Sequence, residues 1–178
     1  MTMLRLAGYA LLAAAAAAPA APPAAARAKV AAPHVATTSF DRLPTPLPLP
    51  YDEAANADAQ VAAARARATR TGKRLLIDLG GNWCLDCRLL AGTIDLPEMK
   101  RFVDRHFVVV TVDIGRFDKN GQIATRYGIT GRLKGVPAVL VVDPRSNRLL
   151  NAGHETELAD ARSMGPQALA DWLAKWAA

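Results

Sequence analysis

The chain's only two cysteines stand three apart in Trp83-Cys84-Leu85-Asp86-Cys87. The apolar run 75–79 and Gly80-Gly81 precede them, and Arg88-Leu89-Leu90-Ala91 follows. An apolar run bounded by glycines suits a buried strand, and the residues after the cysteines suit a helix. The pair therefore falls where a strand feeds a helix. At that junction one sulfur can attack a disulfide and the other, one turn along, can resolve the mixed intermediate. A structural staple is the alternative, but a loop this short adds little stability, because the entropic effect grows with loop length.

Residues 1–28 read as a secretory signal peptide: Arg5, then an apolar run at 6–18, then Pro19-Ala20-Ala21-Pro22-Pro23. The run covers 13 residues, against the roughly 20 needed to span a bilayer. Small residues permit cleavage after Ala20 or after Ala28. A soluble, periplasmic or otherwise exported protein is expected, in an oxidising compartment where a lone cysteine pair forms a disulfide unless electrons are supplied to it. Removing 1–28 takes two of the 22 basic residues and none of the 16 acidic ones, leaving +4. That modest charge favours acidic partners only weakly. Arg65, Arg67, Arg70, Lys73 and Arg74 read as a solvated helix end, so no nucleic-acid partner is expected.

Residues 29–50 are rich in Pro and Ala and poor in large apolar side chains, which predicts an extended arm unable to build a core. Residues 51–178 form the expected domain, of a size for one core. Asp52 is the expected cap of a helix with the stripe Ala54, Ala57, Val61, Ala64 and Ala68, stopped by Gly72. Strands are expected at 75–79, 107–112, 138–142 and 148–151. Helices are expected after the cysteines, from Pro97, before Tyr127-Gly128 and from Pro166. This order describes an α/β fold, a mixed central sheet of about four strands flanked by helices.

Four separated features carry a resemblance: Asp78 six residues before the first cysteine, Trp83 to Cys87, Gly135-Val136-Pro137 ahead of an apolar strand, and Gly153 after the closing hairpin. With these the stretch 73–177 resembles a thioredoxin-fold domain. Lys73-Arg74 before the strand and Asp95-Leu96-Pro97-Glu98 after the helix are similar to the periplasmic C-terminal domain of the membrane electron transporter DsbD, and to single-domain exported proteins related to it. The resemblance implies a cis peptide at Val136-Pro137 facing the cysteines, with the Val136 backbone pairing with an extended partner segment. Read without it, Val136-Pro137 is an X-Pro before a strand, for which trans is usual. The chain departs from thioredoxin in an insertion, Thr130-Gly131-Arg132-Leu133-Lys134, and in carrying Leu85-Asp86 instead of Gly-Pro between the cysteines.

Cys84, at a helix start where unpaired N–H groups favour an anion, is the expected nucleophile and Cys87 the resolving thiol. Asp78, at the end of a buried strand, is expected to exchange a proton with Cys87, the role the resemblance also implies. Its alternative is an aspartate satisfied by backbone donors. Trp83 is expected to shield the sulfurs and offer an apolar platform, or else to be a core residue. Asp86 sets a carboxylate between the sulfurs, which opposes thiolate formation and favours a reductant; a solvated aspartate without redox effect is the alternative.

The leading expectation is an exported disulfide reductase. It acts on exported proteins bearing disulfides or thiols and is fed by a membrane donor of the DsbD type. A disulfide oxidase or isomerase uses the same residues. A different class is a non-catalytic module binding substrate or copper(I) through its thiolates. His34, His106 and His154 have no ligand-like spacing, so neither a zinc site nor any cofactor beyond a Cys84–Cys87 disulfide is expected.

Overall fold

A computed structural model describes residues 29–177. The expected signal peptide, with its cleavage points after Ala20 or Ala28, lies outside the described residues. In chain order the elements are α1 (Ala57–Thr71), β1 (Arg74–Gly80), α2 (Leu85–Ile94), α3 (Pro97–His106), β2 (Phe107–Asp113), α4 (Gly121–Thr125), β3 (Ala138–Asp143), β4 (Arg148–Leu149) and α5 (Pro166–Trp176). The sheet order is β2-β1-β3-β4. β1 runs parallel to β2 and antiparallel to β3, and β4 closes an antiparallel hairpin on β3. This is the mixed four-stranded sheet expected of a thioredoxin-like α/β fold.

Alternation along the strands divides the core into two layers. Leu75, Ile77, Leu79, Val108, Val110, Val112, Ala138 and Leu140 pack under α1 and the cysteines. Leu76, Val139 and Val141 face the other way, onto apolar residues of α2, α3 and α5. β1 is central and buried along almost its whole length, so the cysteine motif, which leaves its C-terminal end, is anchored to the most rigid part of the sheet.

Three expectations are corrected. The cap of α1 is Asn56, whose side chain accepts from the Ala59 N–H at 3.0 Å; Asp52 instead accepts from the Ala54 N–H in the turn before it. Both residue types cap well, and burial of Ala57 and Val61 sets the later start. The fourth strand ends at Leu149. Beyond it the buried Asn151 side chain does the pairing, accepting from Val141 N–H at 2.8 Å and donating to the Val139 carbonyl at 2.7 Å.

The third correction concerns residues 29–50, an extended arm that does contribute to the core. Val35 and Leu43 are buried in the core, each contributing about 2 kcal/mol of apolar transfer free energy. Carbonyls that a proline-rich strand cannot pair in a ladder are met by side chains of the domain. Gln167 donates to Pro33 and accepts from Val35 N–H, Arg88 donates to Leu47 and Pro48, and Thr111 donates to Pro50. The basic cluster is likewise partly engaged: Arg65 donates to the Pro144 carbonyl, Lys73 to that of Asp104, and Arg74 pairs with Asp143.

Candidate functional site

Cys84 is the N-cap of α2, with extended backbone (φ −88°, ψ 117°). Its sulfur accepts the Cys87 N–H at 3.2 Å and its thiol donates to the Val136 carbonyl at 3.5 Å. Both thiols are free and buried. Their acidities diverge. The Cys87 thiol as hydrogen-bond partner draws Cys84 below its ordinary value against the opposing effect of burial. The same contact, with burial and the charge of Asp78, pushes Cys87 far above its own. One sulfur is poised as thiolate and the other as its proton-bearing neighbour.

Asp78 lies near the C-terminal end of β1, buried, with Oδ1 lacking any hydrogen-bond partner. It is therefore not an aspartate satisfied by backbone donors. Burial pushes its carboxyl up to about 7, and the nearby Tyr51 hydroxyl draws it partway back. Tyr51 closes the arm and is held by Asn82, which accepts from its N–H and donates to its carbonyl. Gly80 must be glycine here: a Cβ would stand 2.4 Å from the Tyr51 hydroxyl oxygen and 2.7 Å from the Cys87 sulfur.

Asp86 is not the solvated aspartate of the alternative reading. Its charge opposes the Cys84 thiolate in the expected direction, but it carries a partner of its own. The residue is buried, and its carboxylate receives the Arg162 backbone N–H together with Nε and Nη2 of the same side chain. Arg162 sits in a single turn, Ala161–Ser163, packed against α2. The fork offsets the negative charge close to its source and, despite the opposing effect of burial, holds the Asp86 carboxyl below its usual range. Arg162→Ala is expected to leave that charge facing Cys84, raising the thiol's titration midpoint by about one unit. It should also destabilise the fold, because the buried Asp86 carboxylate loses its charged partner. Absorbance titration of the thiolate near 240 nm checks this, and an unmoved midpoint would show that Asp86 does not tune Cys84.

Trp83 is 40% exposed and Leu85 44%, so Trp83 is not a core residue. Its indole N–H donates to the Gly115 carbonyl at 2.7 Å. Arg116 stacks on its ring at 4.6 Å, Phe117 lies 5.9 Å away, and Arg132 of the insertion covers Phe117 at 4.3 Å. On the other side of Cys84 the Val136-Pro137 peptide is cis. The structure thus brings together Cys84, Cys87, Asp78, Trp83, Leu85, Asp86, Val136 and Pro137. Sequence reasoning missed Tyr51, Arg162, Arg116 and Phe117, none of which has a motif-like spacing from the cysteines. Among the described residues no group of three or more His, Cys, Asp or Glu is placed to hold a metal ion, and no helix is long and apolar enough to cross a membrane.

A mixed four-stranded sheet with a Cys-x-x-Cys pair at the N-terminus of its first crossover helix, facing an X-Pro before the antiparallel strand, defines the thioredoxin-fold class. The chain belongs to the thioredoxin-like family, whose model matches residues 56–144. Among solved structures it is similar to the disulphide isomerase from Xylella fastidiosa Temecula1, at 40% identity, covering 72% of this chain and 97% of that one with a TM-score of 0.66. It also matches the oxidised C-terminal domain of Neisseria meningitidis DsbD, at 24% identity over 54% of this chain and 83% of that one, TM-score 0.39. Trichomonas vaginalis thioredoxin matches at 25% identity over 58% and 80%, TM-score 0.35. No curated protein matches the chain.

Proposed function

We propose that this protein is an exported thiol–disulfide oxidoreductase that reduces disulfides in other exported proteins. The observation that carries the reading is the placement of the two thiols: Cys84 caps α2 with its sulfur accepting the Cys87 N–H, and Cys87 is fully buried one turn along. The Cys84 thiolate attacks one sulfur of a partner disulfide, breaking that bond and releasing a partner thiolate, which takes a proton from water. Cys87 then gives its proton to the Asp78 carboxylate and attacks the Cys84 sulfur. The mixed disulfide breaks, the partner leaves with its second thiolate, and the two electrons it gained leave a Cys84–Cys87 disulfide behind.

Exposed Trp83 and Leu85 flank the nucleophile as an apolar seat for the partner, and the Val136 backbone, beside Cys84, pairs with its extended segment. A membrane donor of the DsbD type then re-reduces the pair, and residues 1–28 direct export. A second reading, an isomerase, is favoured by the likeness to the Xylella fastidiosa disulphide isomerase.

The equilibrium potential of the Cys84–Cys87 pair, measured in a glutathione or dithiothreitol series, tests the direction of transfer. A value near thioredoxin's, about −270 mV, is expected. A value near −120 mV, roughly that of a strong periplasmic oxidant, would overturn the reductase reading.

A further inference from the structure

The cysteines are reached by a residue that lies outside the segment matched to the family. Tyr51 precedes residues 56–144 and arrives from the arm, whose approach is fastened at four points. Arg88 holds the Leu47 and Pro48 carbonyls, Thr111 holds that of Pro50, and Asn82 brackets the Tyr51 backbone on both sides. Two of the anchors, Asn82 and Arg88, belong to the active-site segment itself.

The side chain so delivered is 3% exposed. Its hydroxyl and Asp78 Oδ1 are both buried polar atoms without a hydrogen-bond partner. Leaving such groups unpaired in the core is costly, so their adjacency calls for an account beyond packing. The space that a Cβ on Gly80 would fill touches both the Tyr51 hydroxyl and the Cys87 sulfur, which puts those two atoms at most about 5 Å apart. A phenylalanine would fill the same apolar volume without the unmatched hydroxyl.

We propose that Tyr51 is a positioning residue of the resolving step, its hydroxyl a fixed hydrogen-bond donor that stabilises the negative charge as it passes between Cys87 and Asp78. This rests on the thiol-exchange reading above. The hydroxyl keeps its own proton throughout, because burial and the Asp78 charge push its titration beyond the working range. It therefore donates to whichever neighbour is negative. With Asp78 ionised it favours the carboxylate that must accept the Cys87 proton. Once the proton has moved, it favours the Cys87 thiolate during attack on the Cys84 sulfur. No electron or proton is lost to Tyr51 in the cycle.

The titratable groups facing this point are Asp78 from β1, Cys84 and Cys87 from the start of α2, and Tyr51 from the arm. Asp86 acts on Cys84 with its charge offset by Arg162. Removing the hydroxyl raises the acidity midpoint of Asp78, so the carboxylate becomes available only at higher pH and the resolving rate rises later along the pH axis.

The test follows the reduced protein reacting with 5,5′-dithiobis(2-nitrobenzoate) in stopped flow. The second thionitrobenzoate leaves when Cys87 resolves the adduct on Cys84, in a phase independent of reagent concentration. In Tyr51→Phe the pH midpoint of that phase is expected to rise by about one unit, a roughly tenfold loss of rate below it. A profile superimposed on the wild type would overturn the proposal. Should Tyr51→Phe not fold, Asn82→Ala, which frees the Tyr51 backbone, must move the midpoint in the same direction, and an unmoved profile again overturns it. A wild-type protein showing no second phase would sink the thiol-exchange reading itself, a failure distinct from that of Tyr51 alone.

Discussion

Cys84→Ala is expected to lower disulfide reduction by on the order of 10³-fold or more, to the reagent background, because no other thiol can initiate exchange. Cys84 and Cys87 are the only cysteines. Cys87 is fully buried, and its thiol is pushed upward by Cys84, burial and Asp78, so it cannot substitute as the attacking thiolate. Cys87→Ala should behave differently. Attack proceeds, the resolving sulfur is missing, and the protein accumulates as a mixed disulfide with its partner. Insulin reduction with a chemical reductant, run beside non-reducing electrophoresis, reads both outcomes. The second variant also separates the two readings of function. Reduction needs Cys87 to withdraw two electrons, whereas isomerisation needs only Cys84, since a thiol of the rearranged substrate can expel it. Loss of insulin reduction with retained refolding of scrambled ribonuclease in Cys87→Ala would shift the assignment to an isomerase. Full insulin reduction by Cys84→Ala would end the enzyme reading.

Asp78→Asn should give the largest stability change, and in the direction opposite to its effect on turnover. The Asp78 carboxyl is raised from 3.8 to about 7 by burial. Below about pH 4 it is protonated whether the chain is folded or not, and contributes no difference. Between about pH 4 and 7 the folded protein retains a proton that the unfolded chain has released, so stability falls as pH rises. Above about 7 the deficit is complete. Three pH units correspond to about 4 kcal/mol, and asparagine, which never ionises, removes that deficit. Urea denaturation of the reduced protein should therefore show a gain of about 4 kcal/mol at pH 8 and almost none at pH 4. The resolving step, deprived of its proton acceptor, should slow by about 10²-fold. Equal stability of variant and wild type at pH 8 would mean that Asp78 is not buried as an acid.

The parts of the site that were legible in the sequence are those carried on one continuous stretch. Asp78, Trp83, Cys84, Leu85, Asp86 and Cys87 follow a buried strand into a helix, and the geometry of that junction is set by local spacing. The Val136-Pro137 position was reached through resemblance, not through its own neighbourhood. Asp86 shows the limit of local reading: its place between the sulfurs was plain, but its charge state depends on Arg162, 76 residues away. The packing of the arm was not legible, because composition reports how few large apolar residues it has, not that Val35 and Leu43 are both buried.

The sequence by itself determined the strand-to-helix setting of the dithiol, the succession of strands and helices along the chain and the glycine stop of α1, since hydrophobic period, capping residues and turn chemistry act over a few neighbouring residues. Only the tertiary structure decided what surrounds the sulfurs. Tyr51 beneath Cys87, the Arg162 fork on Asp86 and the Arg116–Trp83–Phe117–Arg132 stack all join elements distant in the chain. Such contacts are selected by burial and charge pairing once the sheet has assembled, and these are the interactions that govern thiol acidity.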